Sequence, residues 1–254
     1  GEEKEQNQIC FLAEKVPSMG YKLFELIEGE PVEQPEAIQD YLAETEQFRL
    51  VFDENGEIQS LYDKVYAREL VQGAPANHFW IFEDRPGKYS AWDIIPSYQE
   101  YEYQDASALK QISVVEKIPI RTVVRVVKTI LDSTIEQNIV LYEKLHRVDF
   151  ETHIDWKERE KLLKVAFPVA VHAREASYDL PFGSIQRPTH QSTSWDRAKF
   201  EVYGHKWADL SEHDFGVSIL TDCKYGYDIR GNVMRLTLLK APIYPDPFSD
   251  LGEH

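Results

Sequence analysis

Four consecutive segments between residues 111 and 156 alternate apolar and polar side chains, and this period of two constrains the fold more than any other feature. Successive side chains of a β-strand point to opposite faces, so sustained alternation is typical of strands with one buried face. In the last segment one face would carry Val148, Phe150, Thr152, Ile154 and Trp156. The alternation predicts long antiparallel strands in a sheet with one solvated side.

A hairpin precedes these segments. Phe48, Leu50 and Phe52 alternate with residues of the opposite face, which predicts a first strand. Asn55-Gly56 has the composition of a tight turn, and residues 58–62 would form the second strand of the hairpin. Further short strands separated by Gly, Pro, Asp and Asn follow residue 160, and helix signals are weak, with one or two turns conceivable at 35–43 and 156–164. So many strands in one chain predict an all-β fold, a large antiparallel sandwich of two sheets.

Charge and cysteine content limit the partners. The chain has 44 acidic and 28 basic residues and a net charge of -16, which disfavours nucleic acid and anionic membranes as partners. Cys10 and Cys223 are too few for a disulfide framework and are expected to be buried thiols in a reducing compartment. No apolar run is long enough to cross a bilayer and no export signal is visible, so a cytoplasmic location is expected. Both ends of the chain look cut from something longer.

The stretch from Tyr178 to Leu210 lacks a helical period and is rich in polar groups, so it predicts long connections between strands. Arg187, His190 and Asp196 in this stretch have the chemistry of an acid–base constellation. A salt bridge between Arg187 and Asp196 that orders the loop is the alternative, and the sequence leaves both open.

His153 and Asp155 have the spacing that places two metal-binding groups on the same side of a strand. A metal site needs three or four convergent ligands, and no third ligand is apparent nearby. The sequence therefore favours a solvated strand face.

Aromatic residues are dense between Phe79 and Tyr103, where alternation fails after Pro86. Sugars present apolar C–H faces that stack on rings and hydroxyls that pair with carboxylates, so Trp92-Asp93 is an apt sugar-contacting unit. The other interpretation, somewhat favoured, is that these rings fill the space between two sheets and that Asp93 closes a turn.

Several segments make the chain resemble the C-terminal half of family 38 glycoside hydrolases, the retaining α-mannosidases. The segments include FRLVFDENGEIQSLYDK, FEDRPGKYSAWDI, REASYDLPFGSIQRPTH, STSWDRAKFEV, HKWADLSE and MRLTLLKAPIYPDP, in order from about Phe11 to His254. The resemblance implies a large antiparallel β-supersandwich of the galactose-mutarotase type over residues 31–254, truncated at its end. It also implies that residues 1–30 are the last strands and linker of a smaller preceding β-domain.

The same resemblance implies what the chain does. The family's zinc ligands, nucleophile and acid/base carboxylate belong to an N-terminal catalytic domain, and none of their motifs is matched here. The chain is thus expected to be an inactive piece of an α-mannosidase that acts on mannose-containing oligosaccharides or glycans. The candidate residues at the rim of the sugar pocket are Trp92, Asp93, His205, Lys206 and Trp207. A non-catalytic carbohydrate-binding or structural module is the alternative.

Overall fold

The structure is a computed structural model, and it describes residues 11–27, 41–86, 89–103 and 106–242. The strands in these ranges are β1 (Leu42–Glu44), β2 (Phe48–Phe52), β3 (Ile58–Asp63), β4 (Arg68–Glu69), β5 (His78–Glu83), β6 (Ser107–Ile118), β7 (Arg121–Ile130), β8 (Ser133–Tyr142), β9 (Val148–Asp155), β10 (Lys161–Pro168), β11 (Glu175–Leu180), β12 (Gly183–Pro188), β13 (Val202–Tyr203), β14 (Trp207–Ser211), β15 (Gly216–Leu220), β16 (Gly226–Arg230) and β17 (Val233–Lys240). A 3₁₀ helix covers Tyr98–Tyr101, and α1 covers Ser194–Ala198.

The described strands pair antiparallel in four sheets, so the all-β prediction is confirmed. The strand orders are β1-β2-β3-β4, β6-β7-β8-β9, β12-β11-β14-β15 and β13-β16-β17-β10-β5. The last of these is called the five-stranded sheet below. The hydrogen bonds define four separate sheets and not the two continuous layers that the predicted sandwich would have.

The predicted hairpin forms between β2 and β3. Gly56 has φ +68°, and the Asp53 carboxylate accepts the backbone N–H groups of Asn55 and Glu57 at 2.9 Å each. A Cβ atom on Gly56 would lie 2.7 Å from Cδ1 of Leu109, whose side chain would have to shift, but the positive φ is what favours glycine here. Local turn chemistry therefore fixes this register.

The alternation between residues 111 and 156 becomes β6 to β9. β8 and β9 pair from Thr134–Asp155 to Leu141–Val148, and Trp156, at the end of the predicted apolar face, is 0% exposed. His153 and Asp155 lie on the opposite face, where both are exposed. The solvated-face interpretation of this strand fits the structure.

Two large apolar cores couple the sheets, and a smaller cluster of Phe82, Tyr98 and Leu162 lies on the five-stranded sheet. One contains Phe79, Leu163, Met234 and other residues of the five-stranded sheet, packed against β11, β14 and the ends of β7 and β8. The other joins β2 and β3 to β6, β7 and β8. Phe167, Phe215 and Val217 pack against both cores, so the sheets are coupled through shared side chains.

Two local predictions were wrong, and one possibility that the sequence left open does not occur. Residues 11–27 form no strand, and Met19 is fully exposed; the structure shows no neighbouring strand with which this segment pairs. Residues 156–164 are not helical, because Lys161–Pro168 pairs on both sides as β10. Cys223 is exposed instead of buried. The predicted turn at 35–43 lies mostly outside the described residues, as does Cys10.

The stretch from Tyr178 to Leu210 is also more regular than predicted. It contains β12 and β13, the short helix α1 and parts of β11 and β14. β12 pairs with β11 along its whole length although its residues Gly183–Gln186 are exposed. An exposed edge strand has no apolar face, so it lacks the periodic signal from which strands are predicted. Within the described part of the chain, no helix is long and apolar enough to cross a membrane.

Candidate functional site

Both candidate segments leave the same end of the five-stranded sheet. Antiparallel pairing places the last residues of β5, β13 and β17 beside the first residues of β10 and β16. Residues 91–93 belong to the connection that follows β5, and residues 205–206 belong to the one that follows β13 and ends at Trp207, the first residue of β14. The two segments therefore leave the same sheet end, but from opposite edges, because β13 and β5 are the outer strands of the order β13-β16-β17-β10-β5.

Trp92 and Asp93 lie in a turn held by Tyr89. The Tyr89 carbonyl accepts the N–H of Trp92 at 2.8 Å and that of Asp93 at 3.0 Å, and the Asp93 carboxylate accepts the N–H of Ile94 at 3.0 Å. The ammonium of Lys240 donates to the Asp93 carbonyl and fixes the turn to the sheet end. Trp92 is 70% exposed and lies against the Tyr89 ring. Asp93 therefore closes a turn, and Trp92 presents its indole to the outside.

Asp179 organises the second segment. Its carbonyl accepts the N–H of His205 at 2.8 Å, and its carboxylate accepts the N–H of Lys206 at 2.9 Å. The His205 ring stacks on Tyr225 with 5.6 Å between centroids, and the Lys206 ammonium donates to the Asp222 carbonyl at 2.7 Å. Trp207 begins β14 opposite Leu220 and is half-buried. These contacts fix the turn, and the His205 imidazole and the Trp207 indole stay partly exposed.

The aromatic residues between Phe79 and Tyr103 divide into two groups. Phe79, Phe82 and Tyr98 are buried, whereas Tyr89, Trp92 and Tyr101 are exposed. Phe82 and Tyr98 meet edge to face on the five-stranded sheet, with ring centroids 5.0 Å apart. The space-filling interpretation therefore holds for Phe79, Phe82 and Tyr98, and the surface-presenting one for Tyr89, Trp92 and Tyr101.

A buried charged network on the same sheet face was missed by sequence reasoning. The Lys164 ammonium bonds to the Glu201 carboxylate and, at 3.2 Å, to the Tyr98 hydroxyl. Asp228 accepts from Arg235 at 2.6 Å. The available signal was a lysine inside the otherwise apolar KLLKVAFP strand, but its partners depend on a register that the sequence does not display.

Asp84 lies at this sheet end, 1% exposed, with 3.4 Å between its carboxylate and the Lys240 ammonium. Neither of its oxygens has a hydrogen-bond partner. Burial raises the pKa of the Asp84 carboxyl to about 6, against the opposing effect of Lys240 and with a further rise from Glu160 and Glu83. An ionised Asp84 is therefore a cost to the folded state.

Asp84→Asn is expected to stabilise the chain at pH 7.5 by roughly 1–3 kcal/mol and to change little at pH 4. The folded pKa of Asp84 is raised, so between about pH 4 and 6 the folded state holds a proton that the unfolded state has lost, and stability falls as pH rises. Urea denaturation at the two pH values measures the difference. Asp155→Asn, at an exposed position, should show no such pH contrast; equal effects of Asp84→Asn at both values would contradict the assignment.

Arg187, His190 and Asp196 do not form one constellation. Arg187 lies 8% exposed against the rings of Tyr178 and Tyr203, at 4.7 and 5.0 Å from the centroids. Asp196 instead forms a capping box with Thr193 at the start of α1. Its carboxylate oxygen lies 3.5 Å from Nδ1 of His190. The alternative, an Arg187–Asp196 salt bridge, does not form either; the two side chains make a cation–π contact and a helix cap, which act locally.

The described residues do not provide a metal centre. They contain no group of three or more His, Cys, Asp or Glu side chains that could hold a metal ion. His153 faces Glu136 across β8 and β9 on an open, polar sheet face. A zinc ion does not fit this part of the chain.

Comparisons with known proteins agree with a carbohydrate-active enzyme domain. Residues 43–248 match the model of the glycosyl hydrolases family 38 C-terminal domain. Alpha-mannosidase G of Dictyostelium discoideum is 38% identical over 88% of this chain, and alpha-mannosidase 2C1 of Homo sapiens is 36% identical over 94%. An alpha-mannosidase of Saccharomyces cerevisiae is 44% identical over 70% of this chain.

A solved structure supports the same fold. The alpha-mannosidase of Enterococcus faecalis V583 superposes with a TM-score of 0.66 at 14% identity, over 84% of this chain and 27% of that one. The fold and the sequence matches define a domain of a glycoside hydrolase. The chain belongs to glycosyl hydrolase family 38, within its C-terminal domain. It spans only 21% and 24% of the length of the Dictyostelium and human relatives.

Proposed function

We propose that this chain is the C-terminal β-domain of a retaining, zinc-dependent α-mannosidase that hydrolyses terminal α-linked mannose from oligosaccharides or glycans. The observation that carries the proposal is the match of residues 43–248 to the family 38 C-terminal domain, together with relatives that are named alpha-mannosidases. We further propose that the four sheets are parts of a galactose-mutarotase-type supersandwich, a domain over residues 31–254 that follows a smaller one ending near residue 30. The two large apolar cores support this arrangement, because Phe167, Phe215 and Val217 pack against both of them.

The chemistry is proposed to reside in an N-terminal catalytic domain of the same protein. A retaining glycosidase needs two carboxyl groups about 5 Å apart, one as nucleophile and one as acid/base. The described residues offer no cluster for the zinc ion, which supports placing its ligands elsewhere. By itself the 254-residue chain is expected to release no aryl alcohol from an aryl α-mannoside, with or without added zinc; zinc-dependent turnover would contradict this.

The role proposed for the chain is to contribute to the rim of the mannose pocket. Trp92 presents an exposed indole beside Asp93, and the rigid His205–Trp207 turn leaves the same sheet end. An indole stacks on the C–H face of a sugar, while an imidazole and an ammonium bond its hydroxyls.

A cytoplasmic location is also proposed, supported by the free and exposed thiol of Cys223.

Trp92→Ala in the full-length enzyme is expected to lower kcat/KM for an aryl α-mannoside about tenfold or more, because a stacking platform of the order of 1–2 kcal/mol is lost from the pocket. The melting temperature should change little, since Trp92 is 70% exposed. Trp195→Ala, with an indole that is 79% exposed on α1, is the matched control and should retain full activity. Unchanged kinetics of Trp92→Ala would remove this turn from the site.

A further inference from the structure

A cleft of about 660 Å³ opens at the other end of the five-stranded sheet, where β5 and β17 begin and β10 ends. This end lies about 20 Å from the Asp93–Lys240 contact, since β10 rises ~3.4 Å per residue. The volume falls in the range of roughly 300–1,000 Å³ that is typical of small-molecule sites. The cleft is called the His78 cleft below.

One wall of the His78 cleft is apolar. Trp80, which is partly exposed, faces it together with Ala166, Pro168, Val233 and Pro75. The guanidinium of Arg235 lies over the Trp80 ring, 4.5 Å from its centroid, and holds the indole in place. A fixed, partly exposed indole is a platform for a flat apolar surface.

His78 lies beside Trp80 on the same face of β5, with 6.0 Å between the ring centroids, and a buried carboxylate positions its imidazole. Glu57 is 6% exposed, and its carboxylate lies 2.7 Å from His78 Nδ1. The ammonium of Lys128, 1% exposed, stands 3.5 Å from the same carboxylate without a hydrogen bond of its own. Burial disfavours the charge of Glu57, but His78 and Lys128 outweigh it and lower the pKa of this carboxyl. The ionised carboxylate accepts from Nδ1–H, so Nε2 of His78 is left to meet a ligand.

The polar side chains of Gln72, His172 and Asn232 and the carboxylate of Glu102 complete the cleft. His172 Nε2 pairs with the Gln72 side-chain oxygen at 2.9 Å, and the Asn232 amide donates to the Val169 carbonyl at 2.9 Å. These contacts orient amide and imidazole groups, which both donate and accept hydrogen bonds. Neither lysine nor arginine is among the described residues that line the cleft, which disfavours an anion.

We propose that the His78 cleft is a binding site for a neutral pyranose sugar, with a C–H face of the ring on Trp80 and hydroxyl groups bonded to His78, Gln72 and Asn232. An indole beside an imidazole, with amide groups and carboxylates around them, matches a ligand that has one apolar face and hydroxyl groups along its edge. The buried Lys128–Glu57 pair sets the orientation of His78. This site is a property of the chain itself and does not depend on the catalytic role proposed above.

The test is a titration of the 254-residue chain with methyl α-D-mannopyranoside, and in parallel with methyl α-D-glucopyranoside, followed by the NMR signals of the histidine rings and by tryptophan fluorescence. At least one sugar is expected to shift the His78 signal saturably. His78→Gln should weaken the affinity at least fivefold, and Trp80→Leu should weaken it similarly. Circular dichroism checks that both variants fold, and His78→Gln remains informative if Trp80→Leu does not.

Matched controls are His153→Gln on the open face of β9 and Trp195→Leu on α1, both exposed, which should bind as the unaltered chain does. Absence of a saturable shift with either sugar, or unchanged affinity in His78→Gln, would overturn the proposal. So would competition by inorganic phosphate. Loss of binding in Trp92→Ala alone would assign the sugar to the other sheet end. The mannosidase assignment is tested separately by turnover of the full-length enzyme, so the two outcomes are independent.

Discussion

Lys164→Met is expected to lower the free energy of unfolding by about 3–5 kcal/mol, because removal of one partner of a buried ion pair leaves the other charge uncompensated. The Lys164 side chain is 0% exposed, and that of Glu201 is 14% exposed. Burial opposes the charge of Lys164, but the charges of Glu201, Tyr98 and Asp228 outweigh it and raise the pKa of this ammonium. Chemical denaturation followed by far-UV circular dichroism measures the loss.

The control for this prediction is Lys157→Met. Lys157 pairs with Asp155 at 3.1 Å on the surface, with side chains 52% and 55% exposed, so its removal should cost no more than about 0.5 kcal/mol. Adding Glu201→Gln to Lys164→Met should recover part of the loss, since the uncompensated carboxylate is removed. A loss as small as that of Lys157→Met would show that Lys164 is not held as a buried cation.

Trp156→Ala is expected to cost about 3–5 kcal/mol through lost burial and the cavity that remains. Trp156 is 0% exposed in the core that joins the five-stranded sheet to β11 and β14. Its Nε1–H has no hydrogen-bond partner, so Trp156→Phe, which keeps a ring and removes the unpaired donor, should cost less than half as much. Urea denaturation of both variants gives the comparison.

Trp195→Ala serves as the matched tryptophan control, since the Trp195 indole is 79% exposed on the short helix α1. Its removal should change the free energy of unfolding by at most about 0.5 kcal/mol. If Trp156→Ala and Trp195→Ala cost the same, Trp156 does not fill the core as the structure has it. A change in the denaturant dependence of Trp156→Ala would indicate instead that the unfolded or folded ensemble has altered.

The residues Trp92 and Asp93 and the residues Arg187 and Asp196 show what the sequence could and could not predict about side-chain contacts. The sugar-contacting chemistry of Trp92 and Asp93 was named from residue types, and the structure adds that Asp93 closes a turn while Trp92 stays exposed. Neither alternative for Arg187 and Asp196, an acid–base constellation or a salt bridge, occurs, because a long side chain in a strand contacts whatever the neighbouring strands present. Here these are the rings of Tyr178 and Tyr203.

The sequence by itself determined the strands of the alternating region, the Asn55–Gly56 hairpin and the burial of Trp156, because period and turn chemistry are local properties. The tertiary structure alone decided which strands became neighbours. It paired β10 with β5 and β17, and so created the Lys164–Glu201 pair and the His78 cleft from residues far apart in the chain. Strand register and order depend on contacts between distant segments, and no local pattern encodes them.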